Sequence, residues 1–408
     1  MPLELLDAPV ETSMDSEYLY TLNFGPQHPA THTTLRIVLT LDGETVVRAV
    51  PDIGYLHSGF EKLGEDLDFN QYITVVDRMN YISPVANEIA WVHTIEKLMD
   101  LQITPRCKYI RTILAELARI SDHLLCVGAA ALDLGGLTAF LYAFNEREAI
   151  YDIIERASGQ RFHPSYVRVG GMANDITPDV VDKIRAFVNG FPKAQGDIAR
   201  LLNKNKIFVD RTKGVGVLTK AEAINRSVTG PVARAAGVLR DLRKDEPYLA
   251  YPELQSSFKV TAARDGDCLS RYLVRMGEMA ESIKIIAAAV ENLPSGPVSI
   301  GVDEKMTIPT KQETYRTIEG LIQHFELFMW NRRFETPVNE VYGAHETSNG
   351  ELGFYVVSDG SAKAFRARTR PPSFVHFALF PHLMEGHQIS DVPAILGSLN
   401  IIAAELDR

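Results

Sequence analysis

The segment Gly25-Pro26-Gln27-His28-Pro29-Ala30-Thr31-His32 sets two histidines among two prolines. Proline locks its backbone torsion, so this turn-rich loop is stiff and presents its imidazoles in set directions. A histidine held this way can supply a proton near neutral pH. His-x-x-x-His could also suggest a metal pair. In a zinc-protease helix the residue after the first histidine is a glutamate base, whereas here it is Pro29, which also spoils a helix. For either histidine alone, an ordinary solvated loop residue is the simpler alternative.

A second candidate is Tyr81, in Asp77-Arg78-Met79-Asn80-Tyr81. On a helix, Asp77 and Arg78 would lie on its side at i−4 and i−3. A phenol titrates near pH ~10 and normally donates a hydrogen bond. It protonates only a strongly basic partner, such as a reduced quinone oxygen. Capping the end of a helix is the plainer role.

The third candidate is Asp133. Between Leu124 and Phe144 the chain is almost wholly apolar, apart from Asp133 and Thr138. A carboxylate in an apolar run is costly unless it is paired or protonated. It also sits near the expected end of a helix, where the dipole disfavours negative charge. Both effects raise its pKa unless a cation compensates. A functional acid and a structural ion pair look the same at this level.

Other features point away from metal and nucleic-acid chemistry. Cys107, Cys126 and Cys268 are few, odd in number and far apart, and none forms Cys-x-x-Cys. They read as buried apolar thiols, and no metal centre built from this chain is expected. The net charge of -10 disfavours a phosphate backbone as partner. Gly214-x-Gly216 lacks a third glycine and reads as a turn rather than a dinucleotide loop. Arg366, Arg368 and Arg370 share one face of a strand, either as a protected edge or as a dock for an acidic partner. The acidic N-terminus, MPLELLDAPVETSMDSE, has neither the basic-then-apolar pattern of a signal peptide nor that of a mitochondrial presequence.

Several elements must position these residues. Leu35, Ile37, Leu39 and Leu41 alternate with polar residues, and Asp42-Gly43 is a hairpin signal, so the chain opens with a small antiparallel sheet. Pro84 is expected to separate a helix ending near Tyr81 from one reaching Met99. A long helix follows from Pro105, with Ile110, Ile113, Leu114 and Leu117 at helical spacing. Gly135-Gly136 ends it, and another helix runs from about Thr138 to Ala157. The Leu124–Phe144 run therefore reads as two core segments joined by a turn, not a membrane span. Further helices are expected at about 178–204, 268–292 and 311–329. Strands return at Gly353 to Val357 and Ala364 to Arg370, followed by one short helix. The whole is an α+β chain: a central helical bundle with small antiparallel sheets at both ends. Its expected parts are an acidic tail (1–16), a β subdomain (17–65), a helical core (66–335) and a C-terminal α+β subdomain (336–408).

Taken together, the segments GPQHPATH, IGYLHSGFEK (53–62), RMNYISP (78–84), LARISDHL (117–124), FNERE (144–148), GQRFHPSYVRVGG (159–171) and GELGFYVVSDG (350–360) resemble the D-subunit family of bacterial complex I, the respiratory NADH–quinone oxidoreductase. That family is similar in fold to the large subunit of nickel–iron hydrogenases. The resemblance implies a peripheral subunit on the cytoplasmic side of the bacterial inner membrane. Electrons from NADH pass through FMN and iron–sulfur clusters on other subunits. The last [4Fe–4S] cluster lies on a small neighbouring subunit, and a membrane subunit completes the quinone site. His32 and Tyr81 would then bond the quinone oxygens and Asp133 would support His32. Arg78 and His163 would lie beside the partner's cluster. A ferredoxin or reduced deazaflavin could replace NADH as donor, and a purely scaffolding subunit is the remaining alternative.

The chain also departs from these relatives. Nickel–iron hydrogenases hold nickel with two Cys-x-x-Cys pairs, which are absent here. The complex I family commonly ends Ser-Leu/Ile-Asp-Pro-Val, where this chain has Ser398-Leu399-Asn400-Ile401-Ile402.

Overall fold

The computed structural model describes residues 18–32, 34–300, 309–329 and 336–408. It opens with the antiparallel sheet β1 (Leu19–Phe24), β2 (Arg36–Asp42) and β3 (Thr45–Asp52), in that order. The alternating residues Leu35, Ile37, Leu39 and Leu41 are buried, and Gly43 makes the β2–β3 turn at φ 58.

Two short helices follow, α1 (Phe60–Asp66) and α2 (Ile73–Val76). The helix expected to reach Tyr81 stops at Val76. Turns span residues 77–82, and Pro84 then starts α3 (Pro84–Leu98). The cause is Asn80. Its side-chain oxygen accepts from the backbone N–H groups of Ile82 and Ser83, at 3.1 and 3.3 Å. Such local bonds compete directly with helical ones.

The long helix α4 (Pro105–Asp133) matches expectation, with Thr104 capping the N–H of Cys107. Gly135 at φ 87 ends it, and α5 (Leu137–Ser158) folds back. One expectation for this stretch needs correction. Leu132, Leu137, Leu141 and Tyr142 are exposed, so the apolar run is not core all round. Among the described residues, no helix is long and apolar enough to cross a membrane.

A two-stranded ribbon, β4 (Val167–Arg168) and β5 (Gly171–Met172), precedes α6 (Pro178–Leu202). Four helices of four to six residues come next: α7 (Lys206–Asp210), α8 (Lys220–Asn225), α9 (Gly230–Ala235) and α10 (Leu242–Asp245). They are too short to show a helical period. Gly214 and Gly216 both have positive φ in the turn before α8.

Helix α11 (Cys268–Glu291) fits its expected span. The helix expected at 311–329 is broken. It forms α12 (Lys311–Arg316) and α13 (Ile318–Gln323), because Thr317 caps Gly320 and starts again, and a π-helical turn then runs to Met329. The C-terminal sheet is β6 (Asn339–Glu346), β7 (Glu351–Ser358) and β8 (Ala364–Arg370), all antiparallel. Strand β6 escaped the sequence reading. β8 is an edge strand, where Arg366 pairs with Glu65 of α1 at 2.7 Å. Four helices finish the chain where one was expected: α14 (Pro372–Phe377), α15 (Phe380–Met384), α16 (Val392–Leu399) and α17 (Ala403–Asp407).

The main core gathers α2 to α6, α11 and the inner face of β7. A second core joins the inward residues of the first sheet to α14–α16 and α17. The first sheet and the last helices are therefore packed together. That packing sets α16 against both α4 and the short turn Pro29–Thr31 in the histidine loop.

Between α4, α9, α10, α11 and β6 lies a buried ionic network. Glu116 pairs with Arg119 at 3.2 Å and Arg243 at 3.1 Å, while Arg234 meets Glu278 and Glu346, both at 2.7 Å. Burial alone pushes the Glu116 carboxyl up, but Arg119, Arg243, Ser282 and Tyr251 overrule it and hold it down at about 2. Glu116→Leu would leave two buried guanidinium groups short of their counter-charge. We expect it to destabilise the fold by about 3–5 kcal/mol, read from equilibrium denaturation.

Candidate functional site

Gly25 opens the histidine loop at φ 92, and a Cβ there would lie 1.9 Å from the Leu35 carbonyl oxygen. Only glycine lets the chain leave β1 so close to the start of β2. His28 is used to build the loop. Its Nδ1 accepts from the Ala30 N–H at 3.2 Å, and its ring lies 4.0 Å from that of Phe24. A single 3-10 turn, Pro29–Thr31, then delivers His32 in the left-handed conformation, φ 57.

His32 Nε2 stands 2.6 Å from Asp133 Oδ2. The side chains are 30% and 12% exposed, so water screens the pair only in part. Asp133 Oδ2 makes no directed hydrogen bond among the described residues. The group placed against this acid at the helix C-terminus is thus His32. On its far side the ring meets α16, with Cε1 3.7 Å from where a Cβ of Gly397 would sit.

Tyr81 lies in the turn before α3, half-buried against the main core. The turn is anchored from below. Asp122 Oδ2 accepts from Asn80 Nδ2 and Ser83 Oγ, both at 3.3 Å, and from Ser348 Oγ. Its other oxygen accepts from Asn400 Nδ2 at 2.7 Å. Asn80 and Asp122 were missed as site residues by the sequence reading. Asp122 was detectable within Ser121-Asp122-His123, a run of polar residues between the apolar positions of α4. The unusual Asn400 also gains a role here. Its amide donates to Asp122 and to Asn349 Oδ1, at 2.7 and 2.6 Å, where a carboxylate could only accept.

Arg78 and His163 come together around Asp77. Asp77 Oδ1 is 3.3 Å from Arg78 Nη1 and 3.8 Å from His163 Nδ1. Burial pushes the Asp77 carboxyl up to about 6, against the pull of Arg78. Burial, then Arg78, pushes the His163 imidazole down, which favours its neutral form. The Arg78 side chain is 57% exposed, leaving its charge turned toward solvent or a partner.

The His163 loop rests on Glu88, which accepts from the N–H groups of Tyr166 and Val167 at 2.8 and 2.9 Å. Burial pushes this carboxyl up to about 8. Its folded pKa thus exceeds the unfolded one, so stability is lost as pH rises from about 4.3 to the folded value. Glu88→Gln keeps an accepting oxygen and cannot ionise. We expect the variant to be more stable than the parent at pH 8, with the gap closing toward pH 4. Thermal unfolding across that range measures it.

The three thiols are buried and free, and burial pushes each one up. Among the described residues no three His, Cys, Asp or Glu side chains form a metal-sized group.

The arrangement sets histidine and arginine side chains beside carboxylates, His32 at Asp133 and Arg78 with His163 at Asp77. The sequence profile of the family described as respiratory-chain NADH dehydrogenase, 49 Kd subunit, matches residues 133–408. The D 2 subunit of NADH-quinone oxidoreductase from Rhizobium meliloti (strain 1021) is 45% identical over 387 residues, covering 95% of each chain. The D subunit from Methylacidiphilum infernorum (isolate V4) is 43% identical, over 95% of this chain and 91% of its own. The D 1 subunit from Chloroherpeton thalassium (strain ATCC 35110 / GB-78) is 45% identical, over 98% and 89%. The chain belongs to this family, the D subunits of NADH-quinone oxidoreductase, and is a component of that enzyme complex.

Proposed function

We propose that this chain forms the quinone head-group pocket of its complex, with His32 and Tyr81 as the donors to the two quinone oxygens. The observation that carries the reading is the His32–Asp133 ion pair at 2.6 Å, which unites a loop histidine with a distant acid. Reduction takes two electrons and two protons per quinone. The electrons come from NADH by way of FMN and iron–sulfur clusters on partner subunits. One proton leaves the Tyr81 hydroxyl and the other the His32 imidazolium, which Asp133 stabilises before transfer. Afterwards Tyr81 is left as a phenolate and Asp133 faces a neutral imidazole, so two negative charges remain until both groups are reprotonated. That change of field is the signal passed toward the membrane arm.

Arg78, with His163 at Asp77, is proposed to face the terminal [4Fe–4S] cluster of the small partner subunit. A cation there favours the reduced cluster. The exposed apolar side chains Leu137, Leu141, Tyr142 and Phe162, together with Ile53, Tyr55 and Leu56, support docking on partner subunits. We place the chain peripherally on the cytoplasmic side of the bacterial inner membrane. We also propose a fold similar to that of the nickel–iron hydrogenase large subunit, with boundaries at about residues 65 and 335.

A photoreactive quinone bound to the intact complex tests the pocket. Peptides containing His32 and Tyr81 should carry the label, and excess unlabelled quinone should suppress it. Labelling confined to other chains would sink the assignment.

A further inference from the structure

Six of the largest fully buried side chains are arginines, and they fall into two kinds. Arg111, Arg119, Arg234 and Arg243 each lie within 3.2 Å of a carboxylate oxygen. Arg271 and Arg275, one turn apart on α11, form no ion pair with any carboxylate among the described residues. Arg271 donates to Ser398 Oγ at 2.7 Å and to the carbonyl oxygens of Gly266 and Gly216. Arg275 donates to the carbonyl oxygens of Ser398 and Arg271, at 2.7 and 3.4 Å. Asp267, at the start of α11, is occupied by the N–H groups of Gly214 and Ser270. Arg271 Nε, Arg275 Nε and Arg275 Nη2 are buried without an acceptor among the described residues, as are Arg111 Nε, Arg211 Nε and Arg234 Nη2, whose guanidinium groups do meet a carboxylate. Buried Arg147 also lacks a carboxylate among those residues, but it lies over the rings of Phe144 and Tyr151. Arg271 and Arg275 have no such ring contact there.

A narrow cavity adjoins this pair. Arg275 lines it together with Cys126, Ala130, Thr212, Cys268 and Ser398. The space open to the centre of a water-sized sphere is about 20 Å³. That is little more than the ~10–15 Å³ one water needs, so phosphate, carboxylic acids and quinone rings are too large. Water could satisfy the free N–H groups. It would leave Arg275 without a counter-charge at low dielectric, while the charge of nearby Asp267 acts on Arg271.

We propose that this cavity binds a halide ion of chloride size, the missing counter-charge of Arg275, which lines it. The ion ties α11 to the C-terminal end of α16, where Ser398 precedes Leu399 and Asn400. The cavity lies beside Ala130 of α4. The site is separate from the quinone reading and stands or falls without it.

Bromide decides the matter in the unmodified protein. Crystals of the intact complex, grown in bromide in place of chloride, should show an anomalous peak beside Arg275 Nη2, and Arg275→Met should abolish it. Water density alone in that cavity overturns the proposal. Thiol alkylation gives an independent reading in solution, because Cys126 and Cys268 line the same cavity. In the intact complex their labelling should slow about fivefold when chloride, at about four times its dissociation constant, replaces gluconate. Gluconate is too large to enter. Equal rates in both anions, or a difference that survives Arg275→Met, would also overturn it.

Discussion

Tyr81→Phe is expected to lower quinone reduction by the intact complex about 100-fold or more, the range of a lost general acid. The substitution removes one oxygen and keeps the ring that packs on the main core. The turn should survive, because the Asn80 side chain and Asp122 anchor it. NADH oxidation by ferricyanide draws electrons upstream of this chain, so it should stay at the parental rate. The contrast between the two assays is the measurement. Normal quinone turnover in the variant would remove Tyr81 from the proposed mechanism.

The second large effect concerns His32 and Asp133. His32→Ala should lower quinone turnover about as much as Tyr81→Phe, again with ferricyanide activity retained. Asp133→Asn keeps the shape of the side chain and removes the charge 2.6 Å from Nε2. The variant should also lower quinone turnover, with ferricyanide activity retained. If Asp133 acts through His32, the double variant is no slower than His32→Ala alone. Additive losses would give Asp133 a separate role and break the coupling.

Much of the chemistry was legible because it depends on residue type in a short window. Asp133 stood out because charge in an apolar run is costly wherever the run folds. The loop of His28 and His32 was visible from its prolines. Residue types alone did not say which histidine meets the acid, and only the family resemblance singled out His32. His28 is consumed by the Ala30 N–H and the Phe24 ring, while His32 alone reaches Asp133. The helix expected to end near Tyr81 failed for a similar reason. One asparagine side chain bonded its own backbone and outcompeted the helical period.

Asn400 shows the limit from the other direction. In the sequence it was only a departure at the C-terminus. In the fold it supplies a donor to Asp122, beneath the turn that carries Tyr81.

The sequence by itself determined the α+β class, the long helix from Pro105, the candidate acid and the loop imidazoles. Local spacing and the cost of burying charge operate before any tertiary contact exists. Only the tertiary structure decided that Asp133 is paired with His32, and that Asn80, Asp122 and Asn400 hold the Tyr81 turn. These partners lie far apart in sequence, and no local pattern records which distant groups the packing of α4 and α16 will bring together.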